Sequence, residues 1–159
     1  MQKWKNYTVK KKKRCGHAKR QQDRYRLVVL RLCGKNLDAD KITEALGLEP
    51  DSAQSSANLR KENEKVVYNT PYGHWNLCSK LRRSATLQNQ ARDILARIKP
   101  KRKTLGLLLK ELEADLNIAV EPHEDLVIAA YSFPAEIISG FTSLGIDIRF
   151  SVHIPRKGM

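Results

Sequence analysis

The sequence predicts an α+β fold in which helices cover a mainly antiparallel sheet. Apolar and polar residues alternate with a period of two at 73–81 and 146–154, which is the pattern of half-buried strands. Between these segments, apolar residues recur with a helical period from residue 87 to residue 112. Taken in order, the segments predict the succession β-α-β-β-α-α-β-β-α-β, preceded by a flexible basic N-terminal arm.

Positive charge is concentrated in that arm. Residues 1–26 contain eleven Lys or Arg and a single acid, Asp23, and so carry ten of the thirteen net positive charges. Such a block cannot collapse on itself, because like charges repel and few apolar residues are available for burial. The sequence therefore predicts a disordered arm at residues 1–24 and a single domain at residues 25–159.

The first strand and helix are predicted at the start of the domain. Residues 25–32 (YRLVVLRL) are apolar and rich in β-branched side chains, which predicts a largely buried strand. The following stretch predicts a short helix that Asp38 or Asp40 caps and that Gly47 ends. Three apolar positions define the buried face of this helix: Ile42, Ala45 and Leu46.

A loop and two strands are expected next. Residues 51–65 are polar and without period, which predicts a loop. Strands are predicted at 66–68 and 73–81, joined by a turn at the Thr-Pro-Tyr-Gly sequence between them. In the second strand Trp75 and Leu77 share a face, and we expect that face to lie in the core.

Two helical segments are predicted from Ser84 onward, with Ser84 as the candidate N-cap. The second is either a separate helix or the first one resumed beyond a kink at Pro100. The apolar positions of the first are Leu87, Ala91, Ile94, Leu95 and Ile98. Those of the second are Leu105, Leu108, Leu109 and Leu112.

The last elements are a hairpin, a helix and a strand. The hairpin is predicted from 117–120 and 126–133, and the helix begins at Pro134 and ends at Gly145. The strand at 146–154 alternates cleanly, and we expect its Phe150 to share a core with Trp75.

Four stretches of the domain form a recognisable series. They are LDADKITEALGLEP (37–50), GHWNLCSKL (73–81), ILARIKPKRKTLGLL (94–108) and LGIDIRFSVHI (144–154). In this order they resemble the bacterial family catalogued as domain of unknown function 4279. The resemblance spans about residues 26 to 154 and leaves the basic arm outside. It implies an α+β domain without an established activity, some of whose relatives are proposed near toxin–immunity loci, and it transfers no functional residues.

Candidate catalytic groups are scattered along the sequence. Cys33 and Cys78 fall in predicted strands, where a thiol usually behaves as a small buried hydrophobe. Cys15 lies in the arm, where no fixed base can activate it. Asp38 and Asp40 stand at a helix start, which favours capping over acid–base chemistry. These residues favour a protein that is not an enzyme, although an unrecognised enzyme stays open.

Metal and cofactor sites are not indicated. The Cys15-x-His17 pair is too closely spaced and lacks a second pair nearby, and the other histidines lie far apart in sequence. There is no Gly-rich phosphate loop and no known catalytic motif. We therefore expect no catalytic residue, no metal site and no cofactor.

Lys and Arg are the candidate binding residues, because they can hold phosphates or an acidic partner surface. They form three clusters: Lys10, Lys11, Lys12, Lys13, Arg14, Lys19 and Arg20; Arg82 and Arg83; and Lys101, Arg102 and Lys103. Trp4, Tyr7 and Tyr25 are interleaved with the eleven cations of residues 1–26 and could stack on exposed bases. The alternative that these charged runs are only solvated and bind no partner stays open.

The sequence thus favours a non-enzymatic binding module that contacts nucleic acid through its arm. An immunity-like protein that binds an acidic toxin or another acidic protein is the alternative. No run approaches the roughly 20 apolar residues of a membrane span, and the basic N-terminus lacks the apolar segment of a secretory signal. Three irregularly spaced cysteines favour a reducing compartment, and we expect a cytoplasmic location.

Overall fold

The computed structural model describes residues 25–56, 71–121 and 130–153. Within these ranges the chain forms one five-stranded sheet with the order β2-β3-β1-β4-β5. The strands are β1 (Tyr25–Lys35), β2 (Ser52–Gln54), β3 (Tyr72–Cys78), β4 (Glu113–Glu121) and β5 (Asp147–Val152). The helices are α1 (Ala39–Leu46), α2 (Leu87–Ile98), α3 (Arg102–Leu108) and α4 (Ala135–Thr142), with a 3-10 turn at Lys99–Lys101 between α2 and α3.

The pairing confirms the predicted fold class. Each neighbouring pair of strands is antiparallel except β4 and β5, which run parallel. The parallel pair is possible because α4 lies between the two strands in sequence and returns the chain to the starting edge. The fold is therefore α+β, with a mainly antiparallel sheet.

One face of the sheet forms the core with the helices. Alternate residues of the three central strands point to this face and are completely buried, whereas their neighbours point to the other side. The fully buried sheet residues are Val28, Leu30, Leu32, Trp75, Leu77, Leu116 and Ile118. The helices contribute Ile42, Leu46, Ile94, Ile98, Leu105, Ile137 and Phe141 to the same cluster. The prediction that Trp75 and Leu77 share a buried face is confirmed.

Two polar contacts hold helices against this face. The indole N–H of Trp75 donates to the hydroxyl of Thr43 at 3.0 Å, which connects β3 to α1. The amide oxygen of Gln90, itself 2% exposed, accepts from the backbone N–H of Val28 at 3.2 Å, which connects α2 to β1. Each contact satisfies polar atoms that burial would otherwise leave without partners.

The capping residues of α1 are those predicted from the sequence, whereas the N-cap of α2 is a different residue. Asp38 is the N-cap of α1 and accepts from the backbone N–H of Lys41 at 3.2 Å, while Gly47 ends the helix with a left-handed φ of 61°. Ala45, expected on the buried face, is exposed because it lies at the margin of the narrow stripe that Ile42 and Leu46 define. The cap of α2 is Thr86, so the assignment to Ser84 is wrong by two residues.

The region between α1 and β3 departs from the predicted loop and turn. Residues Ser52–Gln54 form β2, although all three are exposed and polar or small, because their backbone pairs with β3. Tyr72 and Gly73 lie within β3 rather than in a turn. The strand predicted at 66–68 lies outside the described residues.

The predicted hairpin at 117–120 and 126–133 is wrong. Residues 117–120 do lie in a strand, β4, but β1 pairs with one edge of β4 and β5 pairs with the other. No edge is left for a hairpin partner, and residues 130–133 have no strand structure. Tyr131 and Phe133 instead pack against the core, which explains the apolar pattern of this stretch. Residues 126–129 lie outside the described ranges.

The last strand is less buried than predicted. Phe150 is 54% exposed and therefore does not share the core with Trp75. β5 is an edge strand, and Phe150 meets Phe133 edge-to-face, with ring centroids 5.8 Å apart. Across the ranges that the structure describes, no helix has the length and apolar character needed to cross a membrane.

Candidate functional site

The sheet face away from the core cluster carries most of the polar strand residues; we call it the polar face. Strand register places these residues in rows that run across the sheet. In one row Arg31 of β1 lies between Asn76 of β3 and Asp115 of β4. In the next row Cys33 lies between His74 of β3 and Glu113 of β4. Residues far apart in sequence are thus brought together by pairing with the central strand.

A cleft of about 400 Å³ opens on this face, and we call it the polar cleft. It is lined by Arg31, Cys33, His74, Asn76, Glu113, Asp115 and Arg149. All four of the strands β1, β3, β4 and β5 contribute to it. The cleft therefore rests on the rigid sheet, which suits a site that must hold its groups in a fixed arrangement.

One buried carboxylate organises the charges of the cleft. Asp115 is 6% exposed and accepts from both Nε and a terminal nitrogen of Arg31, each at 2.9 Å. A terminal nitrogen of Arg149 lies 3.7 Å from the same carboxylate. The hydrogen bond to Asp115 raises the pKa of Arg31 above its ordinary value, although burial opposes the rise. Because Arg31 occupies both oxygens of Asp115, this carboxylate is poorly placed to act as a general base.

Cys33 and His74 lie directly opposite each other in β1 and β3, an arrangement that sequence reasoning did not anticipate. A cysteine nucleophile requires a lowered pKa. Burial instead raises the pKa of the Cys33 thiol, and the negative charges of Glu113 and Asp115 raise it further. Burial also raises the pKa of Cys78, and both cysteines are free thiols. The pair therefore lacks the activated thiolate of a cysteine enzyme.

Several hydrogen-bonding groups of the polar cleft have no partner within the described structure. The amide nitrogen of Asn76 donates to Ser52 at 3.0 Å, but its Oδ1 is buried and without a hydrogen bond. The side chains of His74 and Glu113 make no hydrogen bond or ion pair with any described residue. His74 and Glu113 are therefore available to a ligand, whereas Oδ1 of Asn76 is buried and is not reached from the cleft.

The basic residues singled out in the sequence lie elsewhere. Arg82 and Arg83 are exposed in the loop between β3 and α2, and Arg102 and Lys103 are exposed in the first turn of α3. Lys101 is half-buried, and its ammonium lies beside Gly47 at the C-terminal end of α1. A cation at that position interacts favourably with the helix dipole, which gives Lys101 a structural role. The predicted arm residues Lys10, Lys11, Lys12, Lys13, Arg14, Lys19 and Arg20 lie outside the described residues.

The start of the loop between β3 and α2 is held against the C-terminal part of α2 by two hydrogen bonds. The guanidinium of Arg97 donates to the carbonyl of Cys78 at 2.8 Å, and Asp93 accepts from the backbone N–H of Lys80 at 2.8 Å. The loop that carries Arg82 therefore starts beside the end of α2, one helical turn before Lys101. Among the described residues Arg82, Arg102 and Lys103 form no ion pair.

One sequence feature does indicate the polar cleft, namely a charged residue within each of two apolar strands, but strand periodicity alone does not reveal it. Arg31 interrupts an apolar strand, and Asp115 stands between the apolar residues Ala114 and Leu116 of β4. Opposite charges buried in two strands favour a cross-strand pair. The pairing partner could not be chosen from sequence, because Arg31 and Asp115 are 84 residues apart. Within the described ranges no three His, Cys, Asp or Glu side chains are grouped so as to hold a metal ion.

The fold and the polar face define an α+β domain whose sheet supports a cleft of hydrogen-bonding groups. The chain belongs to the family described as domain of unknown function (DUF4279), whose model matches residues 23–155. The match covers the body of the chain and leaves the basic arm outside, as the resemblance predicted. Neither the curated proteins nor the solved structures include a match to this chain.

Proposed function

We propose that the protein is a non-enzymatic binding module that contacts nucleic acid through its basic arm. The observation that carries this proposal is the charge distribution: residues 1–26 hold eleven Lys or Arg against one acid. A polyanion that binds such a segment releases its condensed counterions, and this release drives association independently of base sequence.

Exposed cations of the body extend the surface available to the same ligand. Arg82, Arg102 and Lys103 are exposed and have no acidic partner among the described residues. Their charges are therefore free to contact phosphates.

The chemistry of the polar cleft supports binding rather than catalysis. Its thiol has a raised pKa, and both oxygens of its buried carboxylate are engaged by Arg31. The free thiols Cys33 and Cys78 fit a reducing compartment, which supports our proposal of a cytoplasmic location.

The salt dependence of nucleic-acid binding tests the role of the arm. Fluorescence anisotropy of labelled duplex and single-stranded oligonucleotides is measured between dilute buffer and physiological salt. If six of the arm cations engage phosphates, the log–log slope is about −5 on duplex DNA and about −4 on single strands. Replacement of Lys10, Lys11, Lys12, Lys13 and Arg14 by Gln flattens the slope, because fewer counterions are released.

Two further variants locate the rest of the interface. Replacement of Arg102 and Lys103 by Gln weakens nucleic-acid binding by a smaller factor than neutralisation of the arm cluster does. Arg92→Gln is the matched control, because Arg92 is paired with Glu136 at 3.0 Å. Binding that survives neutralisation of the whole arm would transfer the function to the body. A full chain that binds neither DNA nor RNA at low salt would contradict the proposal and leave the acidic protein partner, such as a toxin, as the better hypothesis.

A further inference from the structure

The outer edge of β5 carries backbone groups that the described part of the chain leaves unbonded. β4 pairs with one edge of β5, and no described strand pairs with the other. The N–H of His153 donates to the carbonyl of Val120 in β4 at 2.9 Å, and the backbone groups of successive residues alternate between the two edges of a strand. The N–H and C=O groups of Ile148, Phe150 and Val152 therefore point outward, where they meet no described partner.

β5 lacks several features that protect a sheet edge from pairing. Native edge strands are often very short, or are interrupted by Pro or a bulge, because an open edge is a template for another strand. The opposite edge strand, β2, has three residues, whereas β5 has six and contains no Pro. Phe150 and Val152 are 54% and 57% exposed, on the side of the sheet that faces the helices. β5 is therefore suited to pairing with a further strand.

A second copy of β5 is a strand that matches this edge. In antiparallel pairing, residues whose backbone groups point outward lie opposite each other. When Phe150 lies opposite Phe150 of the second copy, Ile148 lies opposite Val152, and all three outward-pointing residues gain hydrogen-bond partners. The side chains of these pairs are apolar and lie on the same side of the sheet, so each covers exposed apolar surface of the other.

The other side of the sheet is compatible with the same register. Asp147 lies opposite His153 of the second copy, and Arg149 lies opposite Ser151. No like charges therefore meet across the junction. The side chains of Asp147 and His153 have no hydrogen bond or ion pair with a described residue, so the carboxylate and the imidazole are available to each other. Opposite-charge and hydrogen-bonding pairs of this kind stabilise a sheet.

Charge and existing hydrogen bonds disfavour the neighbouring registers. A register centred on Arg149 sets this residue opposite Arg149 of the second copy, and like charges placed directly opposite are destabilising. A register centred on Ile148 requires the N–H of Ile146, which already donates to the carbonyl of Phe141 at 3.2 Å. A register shifted toward the end of β5 leaves the first residues of the strand without a partner. The register centred on Phe150 avoids all three costs.

We propose that two copies of this chain pair antiparallel through β5, with a two-fold axis at Phe150, so that their two sheets become one continuous sheet. Because an edge-to-edge contact between six-residue strands is small, the dimer is reversible and its fraction rises with concentration. The contact uses only the edge of the sheet, so it is independent of the basic arm and goes beyond the function proposed for it.

Sedimentation velocity of the full chain, without nucleic acid, tests the dimer. Physiological salt screens the repulsion between chains of net charge +13, and we expect the sedimentation coefficient to rise from monomer to dimer with concentration. Phe150→Lys raises the dimer dissociation constant at least about tenfold, because two ammonium groups then meet at the axis. The matched control is Leu107→Lys in α3, which introduces the same charge at a residue that is 65% exposed and leaves dimerisation unchanged.

Mixtures of variants test the register and show that the variants are folded. Phe150→Lys and Phe150→Glu are each monomeric, and an equal mixture restores the dimer because position 150 lies opposite itself. Val152→Lys and Val152→Glu also weaken the dimer, but their mixture stays monomeric because Val152 lies opposite Ile148. A full chain that is monomeric at every concentration would overturn the proposal. A dimer that Phe150→Lys leaves intact, or a Phe150 mixture that stays monomeric, would do so as well, and none of these results would affect the nucleic-acid function.

Discussion

The two faces of the sheet are built from adjacent residues of the same strands, yet they differ completely in chemistry. Leu30, Trp75 and Leu116 are fully buried against the helices. Their immediate neighbours Arg31 and Asp115 form a charged pair on the polar face. The comparison shows how a period of two lets a single sheet stabilise the fold on one side and present hydrogen-bonding groups on the other.

The largest expected effect comes from the core face. Trp75→Ala removes a completely buried indole and its hydrogen bond to Thr43. We expect a loss of about 3–5 kcal/mol in the free energy of unfolding, measured by urea denaturation. The matched control is Tyr72→Ala in the same strand, because Tyr72 is 57% exposed and its ring centroid lies 5.7 Å from the ammonium of Lys35. That control should cost about 1 kcal/mol or less, and equal losses in the two variants would contradict the distinction between the faces.

A smaller effect is expected from the charged pair of the polar face. Asp115→Ala leaves Arg31 without the carboxylate that accepts its two hydrogen bonds. We expect destabilisation by about 1.5–3 kcal/mol, the range for hydrogen bonds to charged groups. Asp147→Ala in the neighbouring strand is the control, because Asp147 is exposed and should change stability by about 0.5 kcal/mol or less. Thermal denaturation of both variants tests this order, and a larger loss from Asp147→Ala would refute it.

The smallest effect concerns the thiol of Cys33. Because burial raises its pKa in the folded state, folding favours the protonated thiol. Its contribution to stability is therefore present below the unfolded pKa of about 8.5 and is lost as pH rises through the folded value. In a chain with Cys15→Ser and Cys78→Ser, alkylation of Cys33 should stay slow at neutral pH and increase at a higher pH than in the denatured chain. Alkylation that is faster in the folded chain at pH 7 would indicate an activated thiolate and reopen the enzyme hypothesis.

Local sequence determined the elements whose signals lie within a few residues. The strand β1, the Asp38 cap, the Gly47 stop and the buried side of Trp75 all follow from propensity, capping chemistry and a period of two. The concentration of charge in residues 1–26 is likewise a property of composition alone. These features were predictable because each depends on contacts or repulsions between near neighbours in the chain.

The tertiary structure decided everything that depends on partner choice. β2 is exposed and has no apolar alternation, and it is a strand only because β3 pairs with it. The apolar stretch before α4 forms no hairpin because β4 is already paired on both edges, and Phe150 is exposed because β5 is at the edge of the sheet. The polar cleft depends on the same choice, since Arg31 meets Asp115 across 84 residues of sequence. Strand pairing is selected by the packing of the whole sheet, and a local pattern contains no information about which distant strand will be the partner.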